Sequence, residues 1–234
     1  LPRATHGGML PVGDVLEDSL AEAWTGLMKE GSLVEWRRDV RELNERNLED
    51  SALGWMGVRV LISPAYRELN ERLHARDPMF GSSGHFFGKI IRDILRQDPG
   101  IKTALDYGCG KGTLKEIVPQ VEWREYDPAI PGKSGSPISA DLVACTEVLE
   151  HVEDECIDAV LDHLRELTLR LCFISVEFGP ALKTLFDGRN THLIQKPWAW
   201  WKERMERRFG MLRVLDGRGV YKSGVMVVGI PTSF

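Results

Sequence analysis

Cysteine is scarce in this chain: Cys109, Cys145, Cys156 and Cys172 are the only four in 234 residues, and no two form a Cys-x-x-Cys pair. Three of them lie inside apolar stretches. Such thiols are expected to be reduced, buried and inert, which suits a cytoplasmic protein and argues against a secreted disulfide scaffold. Long apolar runs are missing too. The longest near the C-terminus, residues 224–230, falls short of the roughly 18 residues a membrane span needs. The first residues lack the basic-then-apolar pattern of a secretory signal, so no membrane partner is expected. Nor is there an excess of positive charge. Thirty Lys+Arg stand against 35 Asp+Glu, a net charge of −5, which argues against non-specific nucleic-acid binding unless a local basic patch supplies it. Internal repeats and low-complexity segments are absent.

The chain does carry 43% hydrophobic residues and seven Trp, enough for one large domain, or one standard domain with an extension. Residues 1–8 show no periodicity and are set aside. Leu16, Leu20, Ala23, Trp24 and Leu27 recur at helical spacing, as do Leu33, Trp36, Val40 and Leu43. Ser63 before Pro64 reads as a helix start, a hydroxyl cap followed by proline at the first helical position. The stretch DPMFGSSG at 77–84 breaks that helix, and another follows through Phe87, Ile90, Ile91, Ile94 and Leu95. Beyond residue 100, short apolar runs at 103–107, 121–126, 141–145 and 171–176 alternate with helical patterns. Strand alternating with helix implies an α/β fold with a mostly parallel sheet covered on both faces. Pro197 opens a last helix to about residue 209, and strands are expected at 211–215 and 225–230, joined through Asp216-Gly217-Arg218-Gly219. The division expected is an N-terminal helical extension or cap at 1–79 and a main domain at 80–234.

Residues 104–114 read ALDYGCGKGTL. An apolar strand ends in Asp106, then Gly108, Gly110 and Gly112 fall at every second position before a helix. Glycines there permit positive φ and close approach of backbone to a ligand, at a helix start with free N–H groups. The spacing is not Gly-x-Gly-x-x-Gly, and an acidic strand end would repel a diphosphate but suit a cationic ligand. About twenty residues on, Asp127 ends the next strand, where a carboxylate can accept from two ribose hydroxyls.

With these pieces in hand, the sequence resembles the class I S-adenosylmethionine-dependent methyltransferases, of the type 11/23-like kind. The resemblance is carried by LDYGCGKGTL at 105–114, EYDPAI at 125–130 and ADLVACTEVLEHV at 140–152, and spans roughly residues 85–234. It implies a Rossmann-like, seven-stranded, mostly parallel sheet with an antiparallel last strand, and S-adenosyl-L-methionine as cofactor. Gly108 and Gly110, with Gly112, would pack against the methionyl part, Asp106 would sit at its amino end, Asp127 on the ribose, and Glu147 would border the site. Only 13 residues separate Asp127 from Asp141, and Pro128, Pro131, Gly132, Gly135 and Pro137 are among them. A shortened third-strand region is therefore expected, leaving open which residues hold the adenine.

Glu147, Glu150 and His151 stand at i, i+3 and i+4, so an α-helical turn would place all three on one face. Two carboxylates and an imidazole are ligands for Mg²⁺ or another divalent metal, and His192, in DGRNTHLIQKP at 187–197, would supply a fourth. The same Glu-x-x-Glu-His turn occurs in quinone-biosynthesis O-methyltransferases and, with a downstream His, looks like the metal site of small-RNA terminal 2′-O-methyltransferases. Alternatively the Glu and His make local hydrogen bonds, and His192 or His151 serves as a general base, which needs only hydrogen-bond reach to the acceptor.

Further along, Trp198, Trp201 and Met205 share a face and read as core, while Trp200 points elsewhere, toward a pocket. Lys202, Arg204, Arg207, Arg208 and Arg213 form either a solvated face or a phosphate-binding one. His85, Phe86 and Phe87 stand where such enzymes often close a lid over the cofactor. The N-terminal helices would cap the substrate or form a dimer surface. The expected acceptor is an oxygen or nitrogen of a small molecule, with a nucleic-acid hydroxyl second and a non-catalytic binding or assembly module as the competing class. Cys145 is not preceded by Pro and makes a poor nucleophile.

Overall fold

The computed structural model of the chain describes residues 60–215 and 224–231. The helices expected at about 14–29 and 33–47 and the connection at 216–219 lie outside the described residues. Among the described residues, six strands form one sheet: β1 (Thr103–Tyr107), β2 (Glu122–Tyr126), β3 (Ala140–Thr146), β4 (Thr168–Glu177), β5 (Phe209–Leu215) and β6 (Gly224–Pro231). Their order is β2-β1-β3-β4-β6-β5. β1 pairs in parallel with β2 and β3, and β3 with β4; β6 runs antiparallel to both its neighbours.

Five helices complete the described chain: α1 (Pro64–Arg76), α2 (Gly88–Gln97), α3 (Thr113–Ile117), α4 (Ile157–Leu167) and α5 (Trp198–Glu206). Side chains alternate across the pleat, and both faces are buried. Ala104, Leu142, Ala144, Phe173 and Met226 meet Ile90, Ile91 and Ile94 of α2 on one side. Leu105, Val143, Cys145, Ile174 and Val227 meet Val160, Leu161 and Leu164 of α4, with Trp201 and Met205 of α5, on the other. The apolar stripes of α2 and α4 recur at three- and four-residue spacing, which is why each helix has one face to lay on the sheet. All four cysteines are buried and unpaired.

Against the seven strands implied by the resemblance, the difference falls in the shortened region, where residues 127–139 form no strand. Pro128, Pro131 and Pro137 lack the N–H that a ladder needs. The segment turns instead: Ile130 N–H donates to the Asp127 carbonyl (3.3 Å), Lys133 N–H to Ile130 (3.0 Å) and Asp127 N–H back to Lys133 (3.0 Å).

α1 begins as its sequence implies. Ser63 caps it, its hydroxyl accepting from Tyr66 N–H (3.2 Å), with Pro64 at the first position. The same hydroxyl donates to Glu153 (2.7 Å), and buried Tyr66 and Leu73 pack on Leu185, so this helix is fastened across the C-terminal edge of the sheet. No helix among the described residues is long and apolar enough to cross a membrane.

Candidate active site

The chain leaves β1 toward β2 on one side and later returns to place β3 on the other side of β1. Ligands of open α/β sheets bind at the carboxyl ends of the strands beside such a switch point. The glycine loop follows β1, Asp127 follows β2, Glu147 to His151 follow β3, and His192 lies beyond β4. The topology therefore gathers at one edge the residues singled out from sequence.

Gly108, Gly110 and Gly112 all have positive φ (72°, 50° and 76°). At Gly110 a Cβ would overlap the Gly81 carbonyl oxygen, and at Gly108 it would overlap the Val148 side chain, so glycine is required for packing as well as for conformation. The loop is held by the end of β2: Gly108 and Cys109 N–H donate to the Tyr126 carbonyl (2.7 and 3.0 Å). Asp127 is buried, with one oxygen accepting from Gly110 N–H (3.1 Å) and the other from Ala129 N–H (2.9 Å). Each oxygen retains a further lone pair for a ligand.

Asp106 faces Glu125 across the β1–β2 register. Burial, then the charges of Glu125 and Asp127, raise its pKa to about 8, against the opposing pull of Lys133 and Lys115. Lys133, from the shortened segment, bridges the Gly110 carbonyl (3.0 Å) and Glu125 (3.1 Å), while Lys115 takes the other Glu125 oxygen (2.6 Å). Lys133 was not singled out from sequence, because its partners are distant in the chain and it sits in a proline- and glycine-rich loop.

Past β3 the backbone is strained. Glu147 has φ 57°, the one non-glycine with positive φ among the described residues, a conformation that costs an L-residue roughly 1–2 kcal/mol. Ser175 holds it, taking the Glu147 N–H at its hydroxyl (3.1 Å) and donating to the Glu147 carboxylate (3.3 Å). Glu150 is wholly buried; one oxygen accepts from Glu177 N–H (2.9 Å) and the other has no hydrogen-bond partner among the described residues. Burial, and then Glu147, push its pKa well above the carboxylate range.

The turn Leu149–His151 is a 3-10 helix and not an α-helical turn. The shared face expected of Glu147, Glu150 and His151 is therefore not formed, and Glu147 stands outside the turn. Among the described residues no three His, Cys, Asp or Glu side chains converge as metal ligands. The set Glu147, Glu150, His151 and His192 does not fit a metal as arranged, and no chemical step is assigned to one.

Two members of that set do meet. The His151 and His192 rings lie 4.8 Å apart, edge to face. His151 Nδ1 is 2.7 Å from the Thr191 carbonyl, and His192 Nδ1 is 2.6 Å from the Gly179 carbonyl. A carbonyl only accepts, so each Nδ1 carries a proton, and in a neutral ring so held Nε2 is the acceptor. Burial, and then His192, lower the His151 pKa to about 3, so that ring stays neutral at physiological pH. His192 is presented by a hairpin that Asn190 ties together. The Asn190 amide oxygen accepts from Ala181 and His192 N–H (3.0 and 2.9 Å), and its nitrogen donates to the Ala181 carbonyl (2.8 Å).

His85, Phe86 and Phe87 divide between surface and core. Phe87 is core, against Phe173, while His85 and Phe86 stack on each other at the surface. His74 and Phe80 line this edge instead: Phe80 lies 4.7 Å from His74 and 5.7 Å from His151. Trp201 is core; Trp200 packs edge-on against it, with the Arg204 guanidinium 3.7 Å from its ring centre. Lys202, Arg204, Arg207 and Arg208 pair with Glu206, Asp158, Glu203, and both Asp158 and Asp162. That surface is a solvated, self-neutralised face.

Strand order, glycine loop and strand-end carboxylate agree with the Rossmann-like methyltransferase fold that the sequence resemblance implies. Among solved structures, the chain is similar to the 1,6-didemethyltoxoflavin-N1-methyltransferase of Burkholderia thailandensis, bound to 1,6-didemethyltoxoflavin and S-adenosylhomocysteine. The TM-score is 0.51 at 14% identity, over 76% of this chain and 94% of that one. For magnesium protoporphyrin IX methyltransferase from Synechocystis PCC 6803, with bound S-adenosylhomocysteine, the TM-score is 0.45 at 16% identity, over 63% and 84%. No family model and no curated protein matches the sequence.

Proposed function

We propose that this chain is an S-adenosylmethionine-dependent methyltransferase acting on an oxygen or nitrogen of a small-molecule acceptor. The reading rests above all on one observation: the buried Asp127 carboxylate, bonded to the glycine loop at Gly110, stands at the same sheet edge as the His151–His192 pair, whose Nδ1 atoms are held by backbone carbonyls. When bound, the cofactor supplies a methyl group on a cationic sulfur. Asp127 holds the ribose hydroxyls, Asp106 faces the amino end, and the loop backbone lies along the methionyl part. His192 would accept the acceptor's proton at Nε2, and the methyl group would pass from the cofactor's sulfur to the acceptor's lone pair, leaving S-adenosylhomocysteine. His151, neutral, packs against that ring and keeps its orientation. Most of the rate enhancement then comes from holding the acceptor in line with the methyl group. Among the described residues α1 acts as a cap, with Tyr66 donating to the His151 carbonyl (2.5 Å).

Calorimetric titration with S-adenosylmethionine and S-adenosylhomocysteine tests this reading. Micromolar binding of both is expected; no binding at millimolar ligand sinks it. Binding without turnover of any acceptor in a screen of hydroxyl- and amine-bearing small molecules moves the chain to the class of non-catalytic binding modules.

Asp106 adds a pH dependence. With its pKa near 8 in the free protein, it is mostly protonated at pH 7, and a cationic amino group favours its ionised form. Affinity for S-adenosylhomocysteine is expected to rise with pH by at most about tenfold per unit, levelling near pH 8. Titrations in buffers of different ionisation heat will show proton release at pH 7, and Asp106→Asn will abolish it. Stability has the opposite sign. Because folding raises this pKa, the free protein loses stability as pH rises from about 4 toward 8. Proton uptake on binding contradicts the assignment.

A further inference from the structure

α1 and the segment behind it are fastened to the glycine loop at one residue. Lys111 N–H donates to the Gly81 carbonyl (2.8 Å), and the Lys111 ammonium donates to the His74 carbonyl (2.8 Å). Gly81 and Gly110 pack backbone to backbone, and a Cβ on Gly81 would come within 2.7 Å of His74 Cε1. The His74 ring is thus wedged beside the loop. Its Nδ1 is buried and has no hydrogen-bond partner among the described residues. Burial lowers the ring's pKa, with Lys111 and Lys133 siding with burial, while the Asp127 charge and the Phe80 backbone act in the opposite sense. A polar atom closed off from solvent and facing no partner is costly unless a ligand supplies one. A neutral imidazole has one donor and one acceptor, which match a hydroxyl that can both accept and donate.

We propose that His74 is a cofactor-binding residue, its imidazole hydrogen-bonded to a ribose hydroxyl of the nucleoside held by Asp127, so that α1 forms one wall of the cofactor site. This rests on the methyltransferase reading above. It brings into the site a helix that sequence analysis assigns to the N-terminal extension.

The test uses two probes, S-adenosylhomocysteine and 5′-methylthioadenosine, which share the ribose but differ in the amino-acid end. His74→Phe keeps a ring against Phe80 and removes both nitrogens; His74→Asn restores a polar group near Nδ1. In calorimetry, His74→Phe is expected to lose about tenfold in affinity for both probes, with the unliganded melting temperature close to wild type. His74→Asn is expected to recover most of the loss, which a purely structural role would not produce. Unchanged affinity in His74→Phe overturns the proposal. A loss confined to S-adenosylhomocysteine places the contact at the methionyl end and overturns the ribose assignment. If the wild type binds neither probe at millimolar concentration, the methyltransferase reading itself has failed.

Discussion

Asp127→Ala is expected to bind S-adenosylhomocysteine roughly a hundredfold or more weakly than wild type. Hydrogen bonds to a charged group contribute about 1.5–3 kcal/mol each, two hydroxyls are available, and every 1.4 kcal/mol is tenfold in affinity. The same substitution also frees the Gly110 and Ala129 N–H groups that the carboxylate now holds. Part of the loss will therefore come from a loosened loop. Asp127→Asn is the milder change: its amide oxygen still accepts from one of the two loop N–H groups, while its NH₂ group loses the other and meets at least one hydroxyl less favourably. Calorimetry should rank wild type, Asn, then Ala. Wild-type affinity in Asp127→Ala would show that the ribose is held elsewhere and would remove the main support for the site.

Much of this site was legible in the sequence because it is local and its physical requirements are narrow. A strand-end carboxylate followed by glycines two apart has few alternatives when φ must be positive, and β1 occupies the 103–107 range expected of it. Asp127 was legible for the same reason, lying at the end of the next strand. The turn after β3 was not. An i, i+3, i+4 spacing carries no information on whether a three-residue turn is α or 3-10, and Glu147 takes up a left-handed conformation that the Ser175 contacts support. Long-range contacts were equally hidden. His74 lies on a helix whose local pattern gives no reason to place its ring beside Gly81, and Phe80 sits in a stretch that reads only as a helix breaker. The three prolines of 128–137 did signal the shortened connection, since residues without an N–H cannot build a strand. They could not signal Lys133, whose position depends on Glu125 and the Gly110 carbonyl meeting in space.

His192→Ala is expected to lower kcat by about 10²–10⁴, the usual worth of a positioned general base, while affinity for S-adenosylhomocysteine is unchanged. The measurement uses the best acceptor from the screen, at saturating cofactor. His192 is preferred to His151 because the latter, with a pKa near 3, is too weak a base to draw a proton from a hydroxyl or amine. The Nδ1 of His192 is held by the Gly179 carbonyl, as that of His151 is by Thr191, which turns Nε2 toward the acceptor role. A large fall in kcat has a structural explanation as well, because residues 178–194 are tied together by many hydrogen bonds. Asn190→Ala distinguishes the two. It removes the three bonds that shape the hairpin but leaves the imidazole, so kcat falls and added free imidazole does not restore it. In His192→Ala added imidazole should restore part of the rate. No recovery with imidazole in His192→Ala would mean that the proton leaves by another route, and that methyl transfer here depends on alignment alone.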